Sequence, residues 1–329
     1  MTQHRALRLN AYGPAADSVD LHRVETAPPG PGEVAVALEF APVNPSDLLL
    51  VNGIYGVRPA LPSAIGTEGS GRIVEVGPGV DRSRVGDRVL IVPGRGHWTW
   101  QERVTVAAAD VVTVRADSAQ ASMLGINGAT AWALLADYAD LKPGDWIAQT
   151  GATSATAGYL RTIARSKGLR VLDVVRRQES VDVLRATGAH EVLAEGDDLA
   201  TQVGEVLGGE QLQLVLDAIG VPPREALSGH VVDGGGIVTY ASRGFQPVVT
   251  GIKDFVFRDV RVHGFWVNRW LRTASAAEVA AAYRAVDDLV VDGTLSAPID
   301  AVYPLEDWAA AFEHAARPDR TGKVLFTIG

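Results

Sequence analysis

The chain has 329 residues, 47% of them apolar and 21% charged, which is the composition of a folded protein long enough for two domains with sizeable cores. Its 30 basic against 39 acidic residues give a net charge of −9 with no basic run, which argues against nucleic-acid binding. There is no cysteine, so disulfides, a thiolate nucleophile and cysteine-ligated zinc are excluded. No apolar run is long enough to span a membrane, and Met1–Asn10 has no apolar core of a secretory leader, so a cytoplasmic protein is expected.

Residues 1–125 are punctuated by turn signals: Pro28-Pro29-Gly30-Pro31-Gly32, Gly77-Pro78-Gly79 and Val85-Gly86-Asp87. The short apolar runs between them, Glu33–Ala41, Gly71–Val76, Arg88–Val92 and Trp98–Val106, predict the strands of a partly open β-barrel. From Ser118 the period changes. Ser118–Ala136 predicts a helix, and Leu141-Lys142-Pro143-Gly144-Asp145 turns the chain into a βαβ unit, Trp146–Arg177, with its helix over Ala155–Ser166 and its second strand over Val171–Val175.

The alternation continues with a helix over Glu179–Gly188, a strand over Glu191–Ala194, a helix over Leu199–Gly208 and a strand over Leu212–Ala218. A short helix from Arg224 and strands over Ile237–Ala241 and Val260–Val267 follow. This order predicts an α/β protein with a doubly wound parallel sheet over about residues 126–264, a Rossmann dinucleotide-binding domain. Residues 1–125 and 265–329 are assigned to the second domain, with helices over Ala276–Asp292 and Trp308–Ala316 and a last strand, Gly322–Ile328, returning to the N-terminal barrel.

The loop Gln149–Gly158 is not a clean G-x-G-x-x-G, and by itself it reads equally as a tight strand-to-helix turn. It follows a strand and opens a helix, so Ser154, Ala155, Thr156 and Ala157 suit a pyrophosphate at a helix N-terminus. The next strand ends in Arg176-Arg177, where a cofactor without a 2′-phosphate would meet Asp or Glu. Two guanidinium groups suit a 2′-phosphate, so NADPH is the expected cofactor; the plain alternative is two solvated arginines. Asp173 lies two residues inside that strand and is expected to face away. Tyr240 stands at a strand C-terminus, where open α/β sheets bind ligands.

Several motifs recur in a familiar order along nearly the whole chain: Asn44-Pro45-Ser46-Asp47, Gly53-Ile54-Tyr55, Leu61-Pro62, Gly66-Thr67-Glu68-Gly69, Val85-Gly86-Asp87-Arg88-Val89, Asn127-Gly128-Ala129-Thr130-Ala131, Pro143-Gly144-Asp145-Trp146 and Gly264-Phe265-Trp266. In this the chain resembles the zinc-independent medium-chain dehydrogenases/reductases, most closely the enoyl-thioester (trans-2-enoyl-CoA/ACP) reductases, next to quinone oxidoreductases. The resemblance implies a GroES-like barrel as catalytic domain beside the Rossmann domain, NADPH as cofactor and no metal. It implies hydride transfer to the β-carbon of an α,β-unsaturated carbonyl, an enoyl thioester by preference, with Tyr55 as catalytic acid.

By the same resemblance Asn44, Asn127, Thr130, Phe265 and Trp266 join the cofactor site, the substrate is a small molecule, and an edge strand near Val260–Val267 forms a homodimer. Plain readings stand beside these: Tyr55 as a packed loop aromatic, Asn44 and Asp47 as turn formers, Glu68 as an internal hydrogen-bonding residue, Phe265 and Trp266 as core. The chain also departs from the family. A loop that usually reads Q-N-A-x-N-S-x-V-G has Thr150 and Thr153 for its asparagines and Thr156-Ala157 for its last two residues, and Gly96-His97-Trp98 stands for Gly-Thr-Trp. These changes bear on cofactor affinity more than on fold. A quinone or alkenal reductase, and a non-catalytic NADPH-binding sensor or structural protein, remain as alternatives.

Overall fold

The computed structural model describes residues 2–244, 247–318 and 320–329. Two compact units emerge, Met1–Ala129 with Leu271–Gly329, and Thr130–Trp270. The first carries strands β1 (Thr2–Leu9), β2 (Val19–Thr26), β3 (Glu33–Pro42), β4 (Ser63–Ala64), β5 (Ser70–Val76), β6 (Arg88–Ile91), β7 (Arg103–Ala107) and β8 (Val111–Thr113). Helices α1 (Ala15–Ser18), α2 (Pro45–Val51) and α3 (Ser118–Ala121) lie among them.

Strand β3 pairs antiparallel with β5 along most of its length and with β7 over Glu33–Ala37. Register shifts at Ala35/Val36 and Leu38/Phe40 mark bulges, which bend a strand and let a sheet curl towards a barrel. The core beneath is Leu7, Val36, Ile73 and Ile91 around Trp100, whose ring lies 5.0 Å from that of Phe312 and 5.4 Å from that of Phe326. Gly66, at φ +94°, lets the backbone pass this indole, because a Cβ there would come within 2.5 Å of the ring.

The second unit opens in α4 (Ala129–Ala136) and continues β9 (Trp146–Thr150), α5 (Ala155–Ser166), β10 (Arg170–Val175), α6 (Glu179–Ala186), β11 (Glu191–Ala194), α7 (Leu199–Leu207), β12 (Leu212–Asp217), α8 (Pro223–Ser228), β13 (Val231–Thr239), β14 (Arg261–Gly264) and α9 (Val267–Thr273). Its six strands run parallel in the order β11-β10-β9-β12-β13-β14. The chain winds outward from β9 to β11, then returns to the far side of β9, so the order reverses between β9 and β12. Such a switch point opens a crevice beyond the strand C-termini. The first unit resumes with α10 (Ala276–Val291), β15 (Ile299–Pro304), α11 (Trp308–Ala316) and β16 (Lys323–Thr327), which pairs antiparallel with β3 over Phe40–Pro42. No helix among the described residues is long and apolar enough to cross a membrane.

Four elements differ from expectation, each for a local reason. The helix expected over Ser118–Ala136 is broken into α3, a π-turn at Leu124–Gly128, and α4. The break falls where the Ile126 N–H donates to the Glu68 carboxylate at 2.6 Å instead of continuing a helical ladder. The strand expected over Val260–Val267 is shorter, Arg261–Gly264, and Val267 already starts α9. Of Trp98–Val106 only the part from Arg103 is strand, because Thr99 and Trp100 turn back to bond the Gly66 and Ile65 carbonyls. The strand expected from Ile237 starts at Val231 and passes the glycine run, with a register shift opposite Leu212/Leu214 absorbing the irregularity.

Candidate cofactor and catalytic sites

In the parallel-sheet unit, four strands end side by side at Thr150, Val175, Asp217 and Thr239. After Thr150 the chain turns at Gly151, with φ +62°, and Ser154 caps α5 by accepting from the Ala157 N–H at 3.2 Å. Ala157 is fully buried, and its carbonyl accepts from Gln149 Nε2 at 3.1 Å, so helix and strand pack closely with alanine at this position. The first-turn N–H groups of α5, at Ala155 and Thr156, face the switch point with the positive end of the helix dipole.

Beside Ser154 the Tyr240 hydroxyl is buried without a well-formed hydrogen bond among the described residues. Burial, and then the Asp217 carboxylate, hold its phenol well above the usual range, so it stays a protonated donor. Past β10, Arg176 and Arg177 are exposed, and among the described residues neither makes a side-chain ion pair. Asp173 is turned inward: Arg161 Nε and Nη2 reach its two oxygens at 2.6 and 3.0 Å, and Gln149 Nε2 donates at 2.6 Å. Arg161 Nη2 also donates to the Ala152 carbonyl at 2.8 Å, fastening the loop from below. The acid that would repel a 2′-phosphate is therefore sealed away and neutralised, while two guanidinium groups face solvent. This donor set fits the diphosphate and 2′-phosphate of NADPH.

The other unit holds a buried polar cluster at the N-terminus of α2. Asn44 N–H donates to Asp47 Oδ2 at 2.8 Å, Thr67 Oγ1 donates to Asp47 Oδ1 at 2.6 Å, and Asn44 Nδ2 donates to Glu68 Oε1 at 2.9 Å. Lys323 Nζ donates to Asn44 Oδ1. The amide orientation of Asn44 is thus set by an ammonium on one side and a carboxylate on the other. Burial pushes the Asp47 carboxyl up to about 6 and that of Glu68 up to about 7, and it lowers the Lys323 ammonium. At its far end α2 unwinds through Asn52 and Gly53, the Ile54 N–H reaches the Leu49 carbonyl at 3.0 Å, and Tyr55 follows, half-buried against the core.

Of the residues singled out in the sequence, Ser154, Ala155, Thr156, Ala157 and Tyr240 gather at the switch point, with Arg176 and Arg177 at the end of the neighbouring strand. Thr130 is buried on the first turn of α4. Phe265 and Trp266 follow β14; Phe265 is buried, bonds the Thr239 carbonyl through its N–H at 2.9 Å, and meets Tyr138 edge-on. Asn44, Tyr55 and Asn127 belong to the first unit, where the Asn44 amide is engaged at both ends and Asn127 Nδ2 donates to the Met123 carbonyl at 3.3 Å. Sequence reasoning passed over Arg161, Asp217 and Lys323, and noted Thr150 only as a departure from the family loop. Each carried a signal: a polar or charged residue inside an otherwise apolar strand or helix face.

These features define the medium-chain dehydrogenase/reductase class, and the comparisons agree. The Alcohol dehydrogenase GroES-like domain family matches residues 30–145, and the Zinc-binding dehydrogenase family matches residues 187–325. The mitochondrial enoyl-[acyl-carrier-protein] reductase of Bos taurus is 32% identical over 332 residues, spanning 98% of this chain and 88% of that protein. A Bacillus thuringiensis structure assigned as an NADPH:quinone reductase has a TM-score of 0.91 at 26% identity, covering 99% of both chains. The Etr1p/NADP/crotonyl-CoA complex has a TM-score of 0.88 at 23% identity, covering 99% of this chain and 100% of that one, a likeness of fold. The chain belongs to the enoyl-thioester reductase branch of the medium-chain dehydrogenase/reductase superfamily. It lacks the cysteine ligands of that superfamily's zinc-dependent members.

Proposed function

We propose that this protein is an NADPH-dependent reductase that adds hydride to the β-carbon of an α,β-unsaturated carbonyl, an enoyl thioester by preference, without a metal. The observation that carries the cofactor half is the pair of exposed guanidinium groups at Arg176 and Arg177 above an inward-facing, ion-paired Asp173. The substrate half rests on the relatives, which reduce enoyl-acyl carrier proteins by name. Bound NADPH supplies the hydride. The turn Ser154–Ala157 takes the diphosphate through backbone N–H groups, Arg176 and Arg177 take the 2′-phosphate, and Thr130, Asn127, Tyr240, Phe265 and Trp266 complete the cofactor's surroundings.

Tyr55 donates its phenol hydrogen bond to the thioester oxygen as negative charge develops there, and passes a proton towards the α-carbon. One C=C bond is reduced and the product is the saturated thioester. The test is oxidation of NADPH with crotonyl-CoA, a quinone and a simple enal side by side. Turnover of the quinone alone would leave the reductase class and remove the thioester. Tyr55→Phe is expected to lower kcat by roughly 100-fold with NADPH affinity unchanged, and an unaltered kcat removes its role.

A homodimer belongs to the same proposal. Strand β14 is an edge of the parallel sheet, and Ile252, Phe255, Val256 and Phe257 just before it are exposed. An open edge flanked by apolar side chains suits pairing with a second copy. Sedimentation of the wild type as a monomer at micromolar concentration would dispose of it.

A further inference from the structure

We infer that the buried pair Thr150–Asp217 is the positioning element of the diphosphate turn, setting the pose of Gly151 and the start of α5 without itself touching the cofactor. The inference rests on the NADPH reading above. Thr150 is fully buried, so its hydroxyl meets no ligand in solvent. That hydroxyl is used in both directions: Oγ1 donates to Asp217 Oδ1 at 2.8 Å and accepts from the Ala218 N–H at 2.8 Å.

Asp217 is fully buried too. Its Oδ1 also accepts from the Ile219 and Gly220 N–H groups at 3.1 and 2.9 Å, and its Oδ2 accepts from Thr239 Oγ1 at 3.1 Å, with Arg224 Nη1 3.8 Å away. One carboxylate thus ties together the ends of β9 and β12, which flank the reversal in strand order, and of β13 beside them. A buried carboxylate is tolerated only when its lone pairs are filled, and here they are filled by the strand ends themselves.

The turn fixed in this way lies directly behind the cofactor loop. A Cβ built on Gly151 would stand 3.2 Å from Ile219 Cδ1 and 3.4 Å from Ala218 Cβ, so residues 218 and 219 lie close beside the turn and leave this position little room. From below, Arg161 holds the Ala152 carbonyl at 2.8 Å. The turn is therefore held on both sides of Gly151, at Thr150 and at Ala152, and the departure from the family pattern at Thr150 is accommodated by a side chain whose hydroxyl has a defined task.

The experiment is titration of the purified protein with NADPH and with NADH, followed by protein fluorescence, for wild type, Thr150→Val and Thr150→Ser, with thermal midpoints alongside. Thr150→Val keeps the shape and removes only the hydroxyl. It is expected to weaken NADPH and NADH by the same factor, about tenfold, because the diphosphate is common to both, whereas Thr150→Ser stays within about twofold of wild type. The KM for an enoyl thioester at saturating NADPH is expected to be unchanged. Thr239→Val, which deprives the same carboxylate of another donor, is the second variant, expected to weaken both cofactors about threefold; it decides the matter if Thr150→Val does not fold. A folded Thr150→Val with wild-type affinity, a Thr150→Ser as weak as Thr150→Val, or, where Thr150→Val does not fold, an unweakened Thr239→Val overturns the inference while the NADPH reading stands. A wild type that binds no NADPH overturns both.

Discussion

Two pairs of buried carboxylates, one in each unit, differ in the cation beside them. In the parallel-sheet unit each buried acid has a guanidinium and directed donors: Asp173 has Arg161 in a two-point pair, and Asp217 has four hydrogen bonds with Arg224 nearby. In the barrel unit Asp47 and Glu68 share one buried cation, Lys323, and its ammonium bonds the Asn44 amide oxygen. At Asp47 and Glu68 burial outweighs the attractions and pushes the carboxyls up to about 6 and about 7, and burial raises Asp173 in the same direction despite its guanidinium. The difference separates two uses of a buried acid. Removing an acid paired with a buried guanidinium strands that charge, whereas an acid raised to about 7 makes its unit respond to pH.

Breaking the guanidinium pair gives the largest effect. Asp173→Ala leaves the Arg161 guanidinium buried and unpaired and is expected to cost about 3–5 kcal/mol in denaturant unfolding. A loss below about 1 kcal/mol would dissolve the contrast between the units.

Next is the charge that Asp173 does not cancel. Replacing both Arg176 and Arg177 with Ala is expected to weaken NADPH by roughly 100-fold, on the order of 3 kcal/mol, and to leave NADH nearly unchanged, as read by titration. Equal weakening of both cofactors would place the arginines elsewhere than at the 2′-phosphate.

The barrel cluster is sharpened by pH. A carboxyl whose value is raised on folding stabilises the folded state while it is protonated. That contribution is fully present below the unfolded value, near pH 4, and is lost as pH rises through the folded value of about 7 for Glu68. Wild type is therefore expected to lose stability from this group between about pH 4 and 7, and Glu68→Gln to flatten the slope by on the order of 1–3 kcal/mol. Parallel stability–pH curves for the two proteins would show that Glu68 does not titrate there. The smallest effect is at the helix cap: Ser154→Ala is expected to lower stability by about 1 kcal/mol, measured by thermal unfolding.

What was legible in the sequence was what is local. Helix α5, strand β11 and helix α11 appear where the periodicity put them, because each is decided within its own span by apolar spacing and end signals. The capping Ser154 and the two arginines after β10 are also local, lying at chain positions that a βα turn defines. The hairpin β1–β2 was not seen, since its exposed face is written in Gln3, Arg5, Arg23 and Glu25 and gives no apolar run. The broken helix before α4 was not seen either, because its cause, Glu68, lies 58 residues upstream of Ile126.

The same holds for the two clusters. Thr150 and Asp217 are 67 positions apart, and Asn44 and Lys323 are 279 apart. A side chain that answers a distant partner carries no local pattern beyond looking out of place in an apolar stretch, as Asp217 does at the end of Leu212–Asp217 and Lys323 does at the start of β16.

The central claim, hydride delivery to the β-carbon of an enoyl thioester, is tested most directly by following the label. NADPH deuterated at the transferable position of nicotinamide C4 is incubated with the wild-type protein and crotonyl-CoA, and the product is analysed by mass spectrometry and NMR. Butyryl-CoA carrying deuterium at C3, with a solvent proton at C2, is the predicted result. Absence of turnover, or deuterium at any other carbon, would contradict it.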